Sequence, residues 1–391
     1  MPTRHFPDVV VIGAGIVGAA CAYYASRSGL AVTVVDRGPV AGGTTGAGEG
    51  NLLVSDKGAG PELDLALLST RLWRELAQVL PPETEYEPKG GLVVTPDEAA
   101  FAALRTFANG QRAAGVEACE IPADRLQDLE PHLAPGLAGG LHYPQDAQVQ
   151  PARATAQLLR SAAGSGAEIR LGEDVTAILT GPRGEVRGVR TPAGDLLAPA
   201  VVNAAGTWGG HIAGLAGTEL PVLPRRGFVL VTEPLPRVVR HKVYAADYIA
   251  DVASGSAALQ SSAVVEGTPA GPVLIGATRE RVGFDRTLST EALRRLAAQA
   301  AALFPVLADV RVMRTYHGFR PYLPDHLPAI GPDPRVPGLF HACGHEGAGI
   351  GLAPATGLLI AAALRGETPV LDLHPFRPER FPGPDRQGAD R

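Results

Sequence analysis

Three glycines, Gly13, Gly15 and Gly18, follow directly on the apolar run DVVVI at Asp8 to Ile12. That spacing suits one kind of chemistry, the capture of a dinucleotide by its pyrophosphate. The first glycine permits a tight turn, the second lets the backbone approach the phosphates, and the third lets the next helix pack closely on the strand. Ile16 and Val17 open that helix, so its N-terminal amides and dipole face the anion. Asp36 lies 23 positions after Gly13, close to the roughly 20 at which a carboxylate meets ribose hydroxyls, and Arg37 follows it. NAD and FAD both bind such a unit, and a glycine turn that merely packs a helix reads much the same.

Three further glycine-rich segments bear on the choice. Ala41 to Asn51, AGGTTGAGEGN, is too rich in glycine for a strand or helix. The hydroxyls of Thr44 and Thr45 and the backbone of Gly48, Glu49, Gly50 and Asn51 could wrap phosphates and the ribityl chain of FAD, which NAD lacks; the plainer alternative is a flexible linker. VVNAAGTWGG, Val201 to Gly210, ends an apolar strand in small residues, so Ala205, Gly206 and Trp208 offer a second close backbone approach, as an ordinary strand end also would. Gly338 to Gly366 reads as strand, glycine loop and helix, with Gly344, His345, Glu346, Gly347, Gly349 and Ile350 at the turn. Unpaired amides and the helix dipole there favour the negative charge that develops on the pyrimidine end of a reduced flavin.

Such turns need a parallel sheet to carry them, and the rest of the pattern supplies one. The spacing predicts a helix from Ile16 to Ser28, a strand from Leu30 to Val35, and a helix after Leu63 that stops at Pro81-Pro82. A helix from Pro151 to Gly166 precedes three short strands around Val175 to Leu179, Val186 to Thr191 and Leu196 to Ala198, separated by GPRG and PAGD turns. Residues 83–143 and 220–313 are mixed, with strands GLVVT, GFVLVT and PVLIGAT and helices from Pro96 to Gly115 and Thr290 to Leu303. The expected fold is α/β, with a Rossmann-like nucleotide-binding unit at the start of the chain and the two mixed regions, 83–144 and 220–319, forming a second α+β domain. A Pro- and Arg-rich tail, 375–391, is expected to be poorly ordered.

The composition narrows the possible partners. The chain has 391 residues, 35 Lys and Arg against 40 Asp and Glu, and a net charge of -5; at roughly 150 residues per domain it is long enough for two or three. Slight acidity offers no field for nucleic-acid phosphates. No Lys precedes Ser or Thr, so there is no Walker A loop; no Ser has Gly two residues away on both sides; and His345-Glu346 is followed by Gly349 where a zincin has its second His. Cys21, Cys119 and Cys343 lie too far apart for a CxxC pair, no metal site is expected, and a reducing, cytoplasmic setting fits. The apolar run from Val9 to Ala25 is broken by glycines, and no transmembrane segment is expected.

With DVVVIGAGIVG, Asp36, the Thr-Thr loop, VVNAAG and GHEGAGIGLAPATG in that order, the chain resembles the FAD-dependent D-amino acid oxidase and glycine oxidase superfamily over nearly its whole length. GHEGAGIGLAPATG and EGNLLVSDK narrow the resemblance to flavin subunits of amino acid dehydrogenases, such as D-hydroxyproline dehydrogenase and opine oxidase. The resemblance implies a discontinuous FAD domain from 1–82, 145–219 and 320–374 with a substrate domain from 83–144 and 220–319, and noncovalent FAD, since no Cys occurs between Phe319 and Asp325, with Val175 and Gly331 also near the cofactor. It implies that Arg320, in HGFRP, clamps a substrate carboxylate, that Tyr248 caps the substrate and that His345 borders the flavin. The expected reaction is hydride transfer from the α-carbon of an amino or imino acid to FAD, giving an imine, with placement supplying much of the rate and no strong protein base required. Glu346-Gly347-Ala348 stands where glycine oxidases carry an Arg, which disfavours glycine and favours a secondary or cyclic amino acid. Iron-sulfur and second flavoprotein subunits are partners that the resemblance suggests. The alternatives are a glycine- or sarcosine-type oxidase using oxygen, an NAD-linked dehydrogenase, and a flavin-binding subunit without catalysis of its own.

Overall fold

A computed structural model describes residues 6–252 and 254–381. The run at Val9–Ile12 forms the centre of a six-stranded sheet because its side chains alternate between two dry faces. Val9 and Val11 join the helices on one side, whereas Val10 and Ile12 pack with Ile178, Val189 and Ile212 on the other. The sheet order is Ala329–Pro332, Leu339–Cys343, Ala200–Asn203, Val9–Ile12, Val32–Asp36, Glu168–Leu171, parallel except for the first, edge strand. Beginning, middle and end of the chain thus meet in one layer.

The helices Ile16–Arg27, Pro151–Gly164 and Gly349–Leu364 cover the first face. Two of them touch almost backbone to backbone: a Cβ on Gly357 would lie 2.5 Å from the carbonyl carbon and oxygen of Ala20. The antiparallel meander Ala177–Thr180, Val186–Thr191, Gly194–Leu197 and the helix Gly209–Leu215 cover the second.

A second, eight-stranded sheet has the order Val312–Tyr322, Leu223–Thr232, Val273–Arg279, Gln260–Gly267, Lys242–Ala245, Gly91–Thr95, Gly139–Tyr143, Cys119–Pro122. It is antiparallel except where Lys242–Ala245 runs alongside Gly91–Thr95. Ile275, Val265 and Leu230 bury one face against the helix Thr290–Leu303, while Val93, Tyr244, Val264 and Ala277 turn the other towards the first domain. Gln260–Gly267, Cys119–Pro122 and Gly139–Tyr143 have no strand counterpart in the sequence reading; their alternation is too short or too rich in Gly and Ser to declare itself.

Two expectations need correction. The domain boundary placed at 319/320 falls inside the strand Val312–Tyr322, whose ladder with Leu223–Thr232 runs unbroken through Arg225 and Arg320, so Arg320 belongs to the second sheet. The tail is ordered as far as it is described: His374–Phe376 and Pro378–Arg380 form short 3₁₀ turns, Phe376 is fully buried, and Arg380 Nε lies 2.6 Å from Asp325 Oδ2. An aromatic anchor and an ion pair hold a segment whose composition suggested neither; 382–391 lie outside the described residues.

The Gly357 contact generates a stability prediction. Gly357→Ala must push the two helices apart, at a cost of about 1–3 kcal/mol, visible as a lower denaturation midpoint even with FAD in excess.

Candidate active site

A cavity of about 350 Å³ runs from the carboxyl ends of Val9–Ile12 and Val32–Asp36 to the inner face of the second sheet, the position where open α/β sheets bind ligands. Gly13 and Asp36 shape its first end. Gly13 has φ +121°, and a Cβ there would lie 2.4 Å from Ala204 O. Asp36 Oδ2 accepts from Ala14 N at 2.7 Å and Oδ1 from Gly38 N at 2.7 Å, which aims the carboxylate along the cavity wall. Arg37 lies 4.3 Å over the ring of Trp208, which stacks on Phe284 at 5.4 Å. Val175, Ala205 and Gly206 line the same region.

The middle is bounded by Gly15, Ile16, Val17, Thr44 and Thr45. Thr45 Oγ1 accepts from Ile16 N at 3.1 Å, so the glycine loop closes on the start of the first helix. Thr44 and Thr207 both donate to Phe319 O, at 2.6 and 2.7 Å, and thereby tie both nucleotide-side turns to the strand that carries Arg320.

The far end gathers Gly48, Glu49, Asn51, Tyr248, Arg320, His345, Glu346, Gly347, Gly349 and Ile350. Arg320 donates from Nη1 to Thr278 O at 2.8 Å and enters no ion pair among the described residues. Burial and the nearby Arg279 press its pKa below the ordinary guanidinium range, yet at neutral pH it remains a cation. Room for it exists because Gly227 stands opposite: a Cβ there would lie 2.0 Å from Nη1. Tyr248 packs edge-on against Tyr244 with Arg279 4.6 Å over its ring, and burial pushes its hydroxyl pKa up, so it is a phenol donor.

His345 is 3% exposed, and burial brings its pKa down to about 3. Its Nε2 lies 2.9 Å from Thr356 Oγ1, whose proton goes to Leu352 O, so Nε2 is the donor and the ring is neutral. Burial raises the pKa of Glu346, but hydrogen bonds from His326 at 2.9 Å and Arg225 at 2.5 Å outweigh it, leaving a carboxylate. The helix Gly349–Leu364 starts beside this turn without a side-chain cap, so its first amides remain as donors. Trp73, unremarked in the sequence, fixes that helix by donating to Ile350 O and Gly351 O at 3.1 Å.

Four of the expected cofactor residues are absent from the cavity wall. Gly18 packs the first helix on its strand, with Gly13 O 1.9 Å from where a Cβ would sit. Gly50 lies equally close to Val149 O, Gly344 turns towards Leu323, and Gly331 sits on the edge strand against Leu373. Gly18, Gly50 and Gly344 serve close packing, whereas Gly331 serves a backbone turn at φ +123°. Conversely, Gly227 and Gly318 line the cavity and were missed; the signal was a glycine inside the strand patterns RRGFVLVT and YHGFRP.

The cavity suits FAD on its own geometry. It joins a ribose-facing carboxylate, a helix N-terminus and a second uncapped helix N-terminus in one channel, and at the far end it holds the orphaned buried atoms Glu49 Oε1 and Asn51 Oδ1. Asp36 would hold ribose, Gly15 to Val17 with Thr44 and Thr45 the phosphates, and the Gly347 to Ile350 turn the pyrimidine end.

The family described as FAD dependent oxidoreductase (DAO) matches residues 8–363. Hydrogen cyanide synthase subunit HcnC of Pseudomonas aeruginosa is 31% identical over 96% of this chain and 96% of that protein. Glycine oxidase of Geobacillus kaustophilus is 30% identical over 97% of this chain and 98% of its own. Among solved structures, that of L-proline dehydrogenase from P. horikoshii superposes with a TM-score of 0.87 at 25% identity, covering 96% of this chain and 97% of that one. Among the described residues no helix is long and apolar enough to cross a membrane.

Asp36→Asn should weaken FAD binding by roughly tenfold, about 1.4 kcal/mol, read by flavin titration of the apoprotein. His345 has a folded pKa below its unfolded one, so its contribution to stability is complete above pH ~6.5 and is lost as pH falls towards about 3. His345→Gln should blunt the acid decline of the melting temperature across that window.

Proposed function

Because the chain belongs to the DAO family of FAD-dependent oxidoreductases, we propose that it oxidises the CH–NH bond of an amino or imino acid to an imine. The observation that carries this reading is Arg320, a cation without a carboxylate partner among the described residues, on the cavity wall at the end opposite Asp36. Bound FAD supplies the two-electron acceptor for the hydride. Arg320 binds the substrate carboxylate through the guanidinium edge that Thr278 leaves open. Tyr248 adds a phenol donor to the same carboxylate, and its packing against Tyr244 and Arg279 holds it in place. Together they set the α-carbon at one distance from the cofactor site, and orientation of this kind lowers the barrier without a new bond to the protein. His345, neutral and tied to Thr356, positions the turn that bounds the pyrimidine end and takes no proton.

A secondary or cyclic amino acid, of the hydroxyproline or opine type, is the substrate class we favour. The likeness to a proline dehydrogenase supports it, as does Glu346, a carboxylate engaged by Arg225 and His326, where the glycine-oxidase pattern has an Arg. The glycine oxidase likeness supports a second reading, with oxygen as acceptor. Full-length similarity to a protein named as a synthase subunit supports work within a larger assembly, with iron-sulfur and second flavoprotein subunits as partners. Noncovalent FAD and a reducing cytoplasm complete the reading; Cys21 and Cys343 are buried and unpaired, and Cys119 is an exposed thiol.

Anaerobic addition of D- and L-amino acids, hydroxyprolines, sarcosine and opines should bleach the flavin with at least one of them; a flavin that stays oxidised with all would remove the reading. Arg320→Ala should raise the Michaelis constant for that compound by roughly a hundredfold or more while FAD stays bound.

A further inference from the structure

Glu49 has no role in the mechanism above, yet its environment demands one. It is 8% exposed, lines the Arg320 end of the cavity, and its Oε1 has no hydrogen-bond partner. Among the described residues no Arg, Lys or His nitrogen comes within 4.0 Å of it. A carboxylate so buried is strongly disfavoured unless it is paired or neutral.

The fold has made space for it. A Cβ on Gly276 would lie 2.5 Å from Glu49 Oε2, just as one on Gly227 would strike Arg320. The two glycines stand on the neighbouring, hydrogen-bonded strands Val273–Arg279 and Leu223–Thr232. One bare patch thus admits a guanidinium and the other a carboxylate, both at the same end of one cavity. An amino acid is the matching ligand: its carboxylate suits Arg320, and its ammonium needs an anion that Arg320 cannot provide.

We propose that Glu49 is the counter-charge and proton acceptor for the substrate nitrogen, an inference that rests on the amino acid reading of this site. The substrate arrives as an ammonium. One N–H proton passes to a Glu49 oxygen, leaving a neutral amine and a carboxylic acid. The nitrogen lone pair would then form the C=N bond of an iminium cation as the Cα–H bond breaks with both its electrons, which FAD, when bound, would accept as hydride. Charge is conserved in the first step, and the second removes two electrons and one proton's mass from the α-carbon.

Burial raises the pKa of Glu49, opposed by Lys242, Arg320 and Arg279, which suits a group that must hold a proton and give it back. Lys242 is ion-paired with Glu266 on the adjacent strand, and burial brings its own pKa down to about 7. Tyr248 and Tyr316 are the other titratable groups facing Glu49; burial pushes both hydroxyls up and keeps them neutral.

The test uses FAD-loaded enzyme and two probes that cannot be oxidised at the α-carbon, 2-methylproline (each enantiomer) and 1-methylcyclopentanecarboxylate, which differs in having no nitrogen. Binding is read from the perturbed flavin spectrum. Glu49→Gln should weaken 2-methylproline at least tenfold and leave the carbocyclic acid within twofold; equal changes in both, or none, overturn the proposal. Should the variant fail to retain FAD, the wild-type enzyme decides: its preference for 2-methylproline over the carbocyclic acid should rise with pH as Glu49 ionises, and a preference flat from pH 5 to 8 overturns it. Because neither probe is turned over, a failure here is distinct from failure of the bleaching screen, which tests the function itself.

Discussion

A half-buried guanidinium on the cavity wall, with no anion against it among the described residues, is the constraint around which the site is arranged. Arg320 cannot be neutralised by losing its proton, so its desolvation has to be met by geometry. Thr278 O takes one N–H and Gly227 leaves the space, so the guanidinium lines the cavity without an anion of the protein's own among the described residues. The same reasoning extends to Glu49, whose slot opposite Gly276 holds the complementary charge. Separating these two groups, instead of letting them neutralise each other, keeps both available to a ligand.

That separation depends on two sheets meeting across one cleft. The strand that carries Arg320 also carries Phe319, whose carbonyl receives the hydroxyls of Thr44 and Thr207. Two hydrogen bonds therefore couple the nucleotide-side loops to the substrate-side sheet within a single residue of the charged group. Glycine does the rest where backbones must pass closely, at Gly13 against Ala204, at Gly318 against Ala47, and at Gly357 against Ala20. A side chain at any of these points would force the two backbones apart.

The polar groups behind the cavity wall show how little of its chemistry resides in proton transfer by histidine. His345, the one histidine on the terminal loop, is held neutral and committed to Thr356. Glu346 is committed to Arg225 and His326. Of the two carboxylates at this end of the cavity, Glu49 alone lacks such a tie among the described residues, and it sits in a loop whose glycine-rich pattern had marked it for the cofactor.

Much of the nucleotide half was legible in the chain because its signals are local. DVVVI, the glycine turn, Asp36 and the terminal strand, loop and helix each act within a few residues, and backbone sterics and strand periodicity do not wait for the rest of the fold. Gly18 was legible as a packing glycine because its contact, Gly13 O, lies in the same motif, whereas Gly50 was not, since the Val149 carbonyl that a Cβ would strike lies far away in sequence. The Arg320 slot, the Glu49 slot and the order in Phe376 and Arg380 were decided by tertiary structure alone: each is set by a neighbour more than fifty residues distant, or by the low dielectric of a cleft that exists only once both sheets have closed on it.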